Sequence, residues 1–301
     1  MRKGNSLHIG IISLKLVARL PFWLIYGFSN LFYLVVYYII GYRKKVVAQN
    51  LRNSFPEKSN AELKTITKKF YRHFCDITLE AIKMGSITER DFKERMKVKN
   101  PELINRYFDQ GKSVVVLTSH HNNWEWGSVF PLFVQYKILG VYKPLHNLHF
   151  DKYINSNRAR FGAELVPNST VLRRVIKADK ENEPVFVWLA GDQTPPVNTK
   201  FWMMFLNQET PFYPGPAAIS RRFNYPVIFQ NTVKIKRGFY EITFEVLFEN
   251  AKEYSETEIM MAYIQKMEKT ISEQPAYYLW SHRRWKHKRP EDVPMKDLSH
   301  K

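Results

Sequence analysis

The chain is poor in cysteine, and its first 56 residues are devoid of acid. Cys75 is the only cysteine among 301 residues, which excludes an internal disulfide framework and an all-cysteine metal site and suits a reducing compartment. No Asp or Glu precedes Glu57, while Arg2, Lys3, Lys15, Arg19, Arg43, Lys44, Lys45 and Arg52 all fall in that stretch. From Leu20 to Tyr42 there is no charge of either sign. Also missing are internal repeats, low-complexity tracts, an H-E-x-x-H zinc motif and a G-x-S-x-G nucleophile elbow. What is abundant is apolar and basic. Hydrophobic residues make up 45% of the chain, with 21 Phe, 17 Tyr and 7 Trp, so disorder is excluded and a sizeable core is available. The formal net charge of +18 calls for an anionic partner: a phosphorylated substrate, an acidic carrier protein, an anionic membrane or nucleic acid.

The uncharged run Leu20–Tyr42 would extend about 35 Å as a helix, against a hydrocarbon core of roughly 30 Å. Trp23, Tyr26, Tyr37, Tyr38 and Tyr42 suit headgroup level. A cleaved leader fits poorly, because the run is long and no small-residue cleavage site follows it. Residues 1–45 therefore read as a membrane anchor and residues 46–301 as a catalytic domain. Gly27, Ser29 and Asn30 interrupt the run, and Ser29 or Asn30 could cap a second helix. A single spanning helix and a broken hairpin in one leaflet both remain open. Basic residues on both flanks favour the hairpin, whose two ends would be cytoplasmic.

Beyond the anchor, Leu63, Ile66, Phe70, Phe74, Ile77 and Ile82 recur at helical spacing and predict an amphipathic helix over 60–83. Short apolar runs at 113–119, 137–143, 163–167 and 184–190 predict buried strands. Helical stretches or loops are expected over 101–110 and 170–180, and helices over 214–223 and 256–271. The segments 226–235 and 239–248 flank Lys236-Arg237-Gly238 and predict an antiparallel hairpin. Strands alternating with helices give the fold class: α/β, a mixed, mostly parallel sheet flanked by helices.

Ligands of open α/β sheets bind beyond the carboxyl ends of the strands. Directly after the first apolar strand comes Thr118-Ser119-His120-His121-Asn122-Asn123-Trp124-Glu125-Trp126-Gly127. On one continuous helix His120 and Glu125 would be about 140° apart. If His120 lies in the turn and Asn122 or Asn123 caps the helix, Glu125 reaches back to fix the imidazole's tautomer and favour its charged form. Packing or capping by the histidine pair is the plainer alternative. Zinc lacks a third ligand nearby, and Ser119 and Cys75 lack the setting of a nucleophile. A general base at His120 is the leading expectation, with no metal and no cofactor.

Three further patches could complete the site. Arg158 and Arg160 suit bidentate phosphate recognition, although a solvated charge run is equally consistent with the spacing. Asp192-Gln193 follows the strand at 184–190. Residues 283–290 hold Arg283, Arg284, Lys286, Lys288 and Arg289, with Trp280 and Trp285 beside them, a pattern suited to an anionic lipid interface or to nucleic acid.

At these residues the chain resembles the late acyltransferases of lipid A biosynthesis, the lauroyl/myristoyl type, within the lysophospholipid acyltransferase superfamily. The superfamily mark H-x-x-x-x-D/E is His120 through Glu125. Asn123, Trp124 and Glu125 match the subgroup's H-F/L-G-N-W-E, while His121 stands where an apolar residue is usual and Asn122 where glycine is common. Gly41-Tyr42-Arg43, Val46-Val47, Asn50-Leu51 and Phe55-Pro56-Glu57 resemble the family's post-anchor segment. Arg158 and Arg160 resemble its R-x-R block, Asp192-Gln193 its D-Q motif, and Trp280, His282, Arg283, Arg284, Arg289 and Pro290 its W-x-H-R-R ending.

The resemblance implies an acyltransferase-like fold at the cytoplasmic face of a Gram-negative inner membrane. It implies transfer of a fatty acyl chain from acyl carrier protein to a hydroxyl of a lipid A precursor. His120 would be the general base and Glu125 its orienting carboxylate. Asn123, Arg158, Arg160, Asp192, Gln193, Arg283 and Arg284 would contact substrate. The partners are then a membrane lipid acceptor, acyl carrier protein and the anionic inner membrane, and not nucleic acid. A related acyltransferase acting on a lysophospholipid, an amino-acid lipid, a phosphoinositide mannoside or a polyene pigment is the alternative, because pocket shape decides the acceptor.

Overall fold

A computed structural model describes residues 2–297. Two helices open the chain, α1 (Arg2–Arg19) and α2 (Phe22–Tyr33), and a π-helical stretch over Leu34–Ile40 prolongs the second. The break between them falls at Leu20-Pro21, where proline cannot donate an N–H into the helix before it. It does not fall at Gly27, Ser29 or Asn30, and neither Ser29 nor Asn30 caps a helix. Both lie inside α2, where Ser29 Oγ donates to Asp76 Oδ1 at 2.6 Å and Asn30 Oδ1 accepts from Arg237 at 2.9 Å. Phe22–Ile40 is long and apolar enough to cross a membrane, and only a minority of it is buried.

Helix α3 (Lys44–Ser54) follows, then α4 (Asn60–Lys83), which opens on a capping box between Ser59 and Glu62. After α5 (Glu89–Arg95), the strands β1 (Met96–Val98), β2 (Val114–Thr118), β3 (Lys137–Tyr142), β4 (Glu164–Pro167) and β5 (Val185–Ala190) are laid down. Helices α6 (Pro101–Asp109), α7 (Leu148–Arg158) and α8 (Val171–Lys180) intervene, together with a 3₁₀ helix over Glu125–Leu132. A small hairpin, β6 (Trp202–Phe205) with β7 (Gln208–Pro211), precedes α9 (Gly215–Phe223). The long hairpin β8 (Val227–Lys236) and β9 (Phe239–Phe248) leads to α10 (Glu256–Glu273).

Seven strands form one sheet in the order β1-β9-β8-β2-β5-β3-β4, parallel at every step except β9 against β8. The α/β class expected from alternating strands and helices is the observed one. All five residues of β2 are buried, as expected for a central strand covered on both faces. Its side chains alternate between two cores. Val115 and Leu117 join Tyr263, Met267 and Phe229, whereas Val114 and Val116 join Trp126, Phe130 and Phe92. The register sets Thr118 opposite Ala190, so the polar segments after β2 and β5 leave the sheet side by side.

Candidate active site

His120 stands two residues beyond the end of β2, and Asp192 two beyond the end of β5. Asp192 Oδ1 lies 2.7 Å from His120 Nδ1, and its Oδ2 accepts the His120 backbone N–H at 2.9 Å. The carboxylate is nearly sealed and the imidazole partly open. Burial alone would raise the Asp192 pKa, but the His120 imidazole, its two hydrogen bonds and the charge of Arg284 outweigh this and hold it below the usual range. An ionised carboxylate at Nδ1 requires the proton there, which leaves Nε2 as the basic nitrogen. Gln193 Nε2 lies 2.9 Å from that nitrogen on an exposed, readily displaced side chain. The Trp124 ring packs against the imidazole, with centroids 5.1 Å apart.

The expected hydrogen bond between Glu125 and His120 is replaced by this one. Asn122 has φ of +56°, the left-handed conformation that asparagine tolerates better than most residues. The turn sends Glu125 to the start of the 3₁₀ helix, where Arg158 Nε and Nη2 grip its two oxygens at 2.9 and 2.6 Å. Trp124 Nε1 donates to Oε1 at 3.1 Å. Burial would raise the Glu125 pKa, but the Arg158 charge and bonds, and the field of His120, lower it instead. Arg158 thus reaches the site with its charge already met. Arg160 is exposed and donates to the Met84 carbonyl at 2.6 Å, apart from that pair.

Asn123 is buried rather than open to substrate. Its Oδ1 accepts the Trp126 N–H at 3.2 Å, although the N-cap of the 3₁₀ helix is Trp124 and not one of the two asparagines expected there, and its Nδ2 donates to Glu80 Oε2 at 2.6 Å. Glu80 also accepts from Tyr240 and Tyr26, both at 2.8 Å, and burial with the nearby Asp76 raises its pKa. The sequence reading passed over Glu80, although an acid three residues after Ile77 on the apolar face of α4 was a signal. Tyr263 was equally silent. Its hydroxyl donates to the Thr118 carbonyl at 2.6 Å and accepts the Gly191 N–H at 3.0 Å, stitching the ends of β2 and β5 beneath the pair.

His121 is structural. Its Nε2 lies 3.0 Å from the Gln274 carbonyl and its Nδ1 3.1 Å from Asn122 Nδ2, and burial lowers its pKa to about 4. His282, lowered to about 4 chiefly by burial, accepts the Thr194 N–H at 3.2 Å and so braces the loop that carries Asp192.

The tryptophan-and-cation ending is split, with Trp280 and Arg284 folded in and Arg283, Lys286 and Lys288 left exposed. Trp280 is buried, and Trp285 Nε1 donates to Thr210 at 2.7 Å. Arg284 is buried over the Phe212 ring with Nη2 on the Pro211 carbonyl at 2.6 Å, so it serves Asp192 by its field and not substrate by contact. Arg283 is exposed. Asn50 Nδ2 donates to the Trp280 and His282 carbonyls at 2.9 and 3.0 Å, tying α3 to this ending.

The carboxyl edge of a mostly parallel sheet thus presents a carboxylate-held histidine at one end of H-x-x-x-x-E and, at the other end, a glutamate paired with Arg158, and the family to which the chain belongs makes it an acyltransferase. Residues 3–287 match the bacterial lipid A biosynthesis acyltransferase family, and the chain belongs to it. Among characterised relatives, the lipid A biosynthesis lauroyltransferase of Escherichia coli (strain K12) is 26% identical over 294 residues, covering 96% of this chain and 93% of that protein.

Proposed function

We propose that this acyltransferase moves a fatty acyl chain from an acyl carrier protein thioester to a hydroxyl of a lipid A precursor, at the cytoplasmic face of the inner membrane. The observation that carries the mechanism is the Nδ1 bond from His120 to Asp192, which leaves Nε2 as the open base at the carboxyl edge of the sheet. Nε2 takes the acceptor hydroxyl's proton as that oxygen attacks the thioester carbonyl. The tetrahedral intermediate collapses with cleavage of the C–S bond, and the imidazolium returns the proton to the departing thiolate. Asp192 holds the tautomer and balances the imidazolium charge; Glu125 adds a second negative field while fixing Arg158. Gln193 yields its place to the hydroxyl. The chemistry needs neither a covalent acyl-enzyme nor a metal.

Family membership supports lipid A as the acceptor, the apolar Phe22–Ile40 helix supports a membrane setting, and the +18 charge suits acidic partners. The test assays purified wild type, His120→Ala and Asp192→Asn with acyl carrier protein thioesters and a lipid A precursor, beside mass spectrometry of lipid A from a complemented deletion strain. Both variants are expected to lose most activity, and the deletion to lack one acyl chain. Near-full transfer by His120→Ala, or unchanged lipid A, would overturn the reading.

A further inference from the structure

A second concave site lies beside the apolar helix. It is a cleft of about 700 Å³ walled by Asn30, Tyr33 and Leu34 on one side, by α4 on another and by the tip of the β8–β9 hairpin on the third. Its lining holds five cationic side chains, Lys69, Arg72, Lys234, Lys236 and Arg237, against one carboxylate, Asp76. That carboxylate is buried and spent: Arg237 contacts it at 2.6 Å, Lys234 at 3.7 Å, and the Ser29 hydroxyl at 2.6 Å. Lys69, Arg72 and Lys236 are exposed and, among the described residues, have no carboxylate at ion-pair distance. Arg72 lies over the Tyr33 ring and Lys236 over the Phe239 ring, so aromatic faces hold two of these charges in place. Lys69, Arg72 and Asp76 recur at three and four residues and share one face of α4.

Three uncompensated cations around one hollow mark an anion site. The wall they share identifies the kind of anion. Leu34 and Ile235 line the cleft and are exposed, and Leu31, Ile39 and Ile40 are exposed further along the same apolar helix, so a molecule with an anionic head in the cleft has an apolar surface for its chains. A soluble acidic protein would use the charges and leave the leucines and isoleucines bare.

We propose that this cleft binds the phosphate-bearing headgroup of a membrane lipid whose acyl chains run along Phe22–Ile40. The inference rests on the membrane reading of that helix and not on the acyl-transfer chemistry. The ligand comes from one of two sources, the phosphorylated glycolipid acceptor or a bulk anionic phospholipid.

The test uses the full chain in neutral-detergent micelles and native mass spectrometry to measure binding of three probes: a bisphosphorylated glucosamine-disaccharide lipid, phosphatidylglycerol and phosphatidylcholine. The cleft variant is Lys69→Gln with Arg72→Gln and Lys236→Gln. A control triple, Arg173→Gln with Lys177→Gln and Lys180→Gln, removes the same charge from α8, beside the opposite edge of the sheet. Each cleft cation removed is expected to weaken anionic-lipid binding about fivefold, with phosphatidylcholine unchanged and the control triple like wild type. A loss confined to the glycolipid makes the cleft an acceptor subsite, and a loss for both anionic lipids makes it a general headgroup site; either supports the proposal. Arg72→Gln alone, with its about fivefold loss, carries the test if the triple is unstable. Wild-type binding by the cleft variant, an equal loss in the control triple, or an equal loss toward phosphatidylcholine would overturn it. Because the readout is binding, a failed transfer assay would leave this result standing.

Discussion

Asp192 grips His120 twice, through the ring at 2.7 Å and through the backbone N–H at 2.9 Å, from a loop 72 residues further along the chain. Replacing the carboxylate by an amide removes the charge that fixes the tautomer. Asp192→Asn is therefore expected to lower kcat by about 10²–10⁴ while leaving KM within a few-fold. The His120→Ala/Asp192→Asn double variant should be little worse than either single, because the two act as a unit. Steady-state kinetics check both; full additivity would separate the residues.

The Glu125–Arg158 pair makes a different prediction. Arg158→Gln leaves a largely buried carboxylate without its partner, at a cost of roughly 3 kcal/mol, and Glu125→Gln leaves the guanidinium in the same position. The double substitution should recover most of that stability in thermal melts without recovering activity. Recovery of activity as well would give the pair a purely structural role.

His121 and His282 predict how the fold responds to acid. Burial holds both near a pKa of about 4 in the folded chain, against an ordinary value of about 6.5. Between those values the unfolded chain binds more protons than the folded one, so stability rises with pH in that window. Lowering the pH from 6.5 to 4 should then cost roughly 3 kcal/mol for His121 alone, and His121→Gln should flatten the dependence of the melting midpoint. An unaltered slope in that variant would refute the assignment.

Two substitutions away from the reacting groups test the frame. Tyr263→Phe leaves the Thr118 carbonyl and the Gly191 N–H without their shared partner and is expected to cost about 1–3 kcal/mol, with a fall in kcat as His120 and Asp192 lose register. At Gly127 an added Cβ would sit 2.3 Å from the Trp188 ring. Gly127→Ala should therefore push the 3₁₀ helix, and Glu125 with it, off the sheet. Activity measured alongside melting would separate that displacement from plain unfolding.

The central strands were legible because β2 and β5 are unbroken apolar runs, and the long hairpin because a Lys-Arg-Gly turn divides two such runs. The β6–β7 hairpin was not, since its turn residues Leu206 and Asn207 adopt positive φ without any glycine to announce it. His120 and Glu125 stood out as a motif, but the partner of His120 depends on the parallel pairing of Thr118 with Ala190, which no local pattern encodes. Arg284 read as a surface cation because a buried arginine held over Phe212 looks the same in sequence as one in solvent. The helix break was misplaced for a simpler reason: Pro21 outranks the small and polar residues at 27–30 as a breaker.

One carboxylate ties the apolar helix to the candidate site. Glu80 holds Tyr26 of α2 and, with its other oxygen, Asn123 of the catalytic turn. The apolar helix is therefore a bracket and not a leash. The hydrogen bonds from Tyr26 through Glu80 to Asn123 fix the separation between that helix and the turn that carries His120, so a fragment freed from its first 45 residues is expected to be a damaged enzyme, and not a soluble one. Retention of wild-type turnover by that fragment on a detergent-dispersed acceptor would show the bracket to be dispensable.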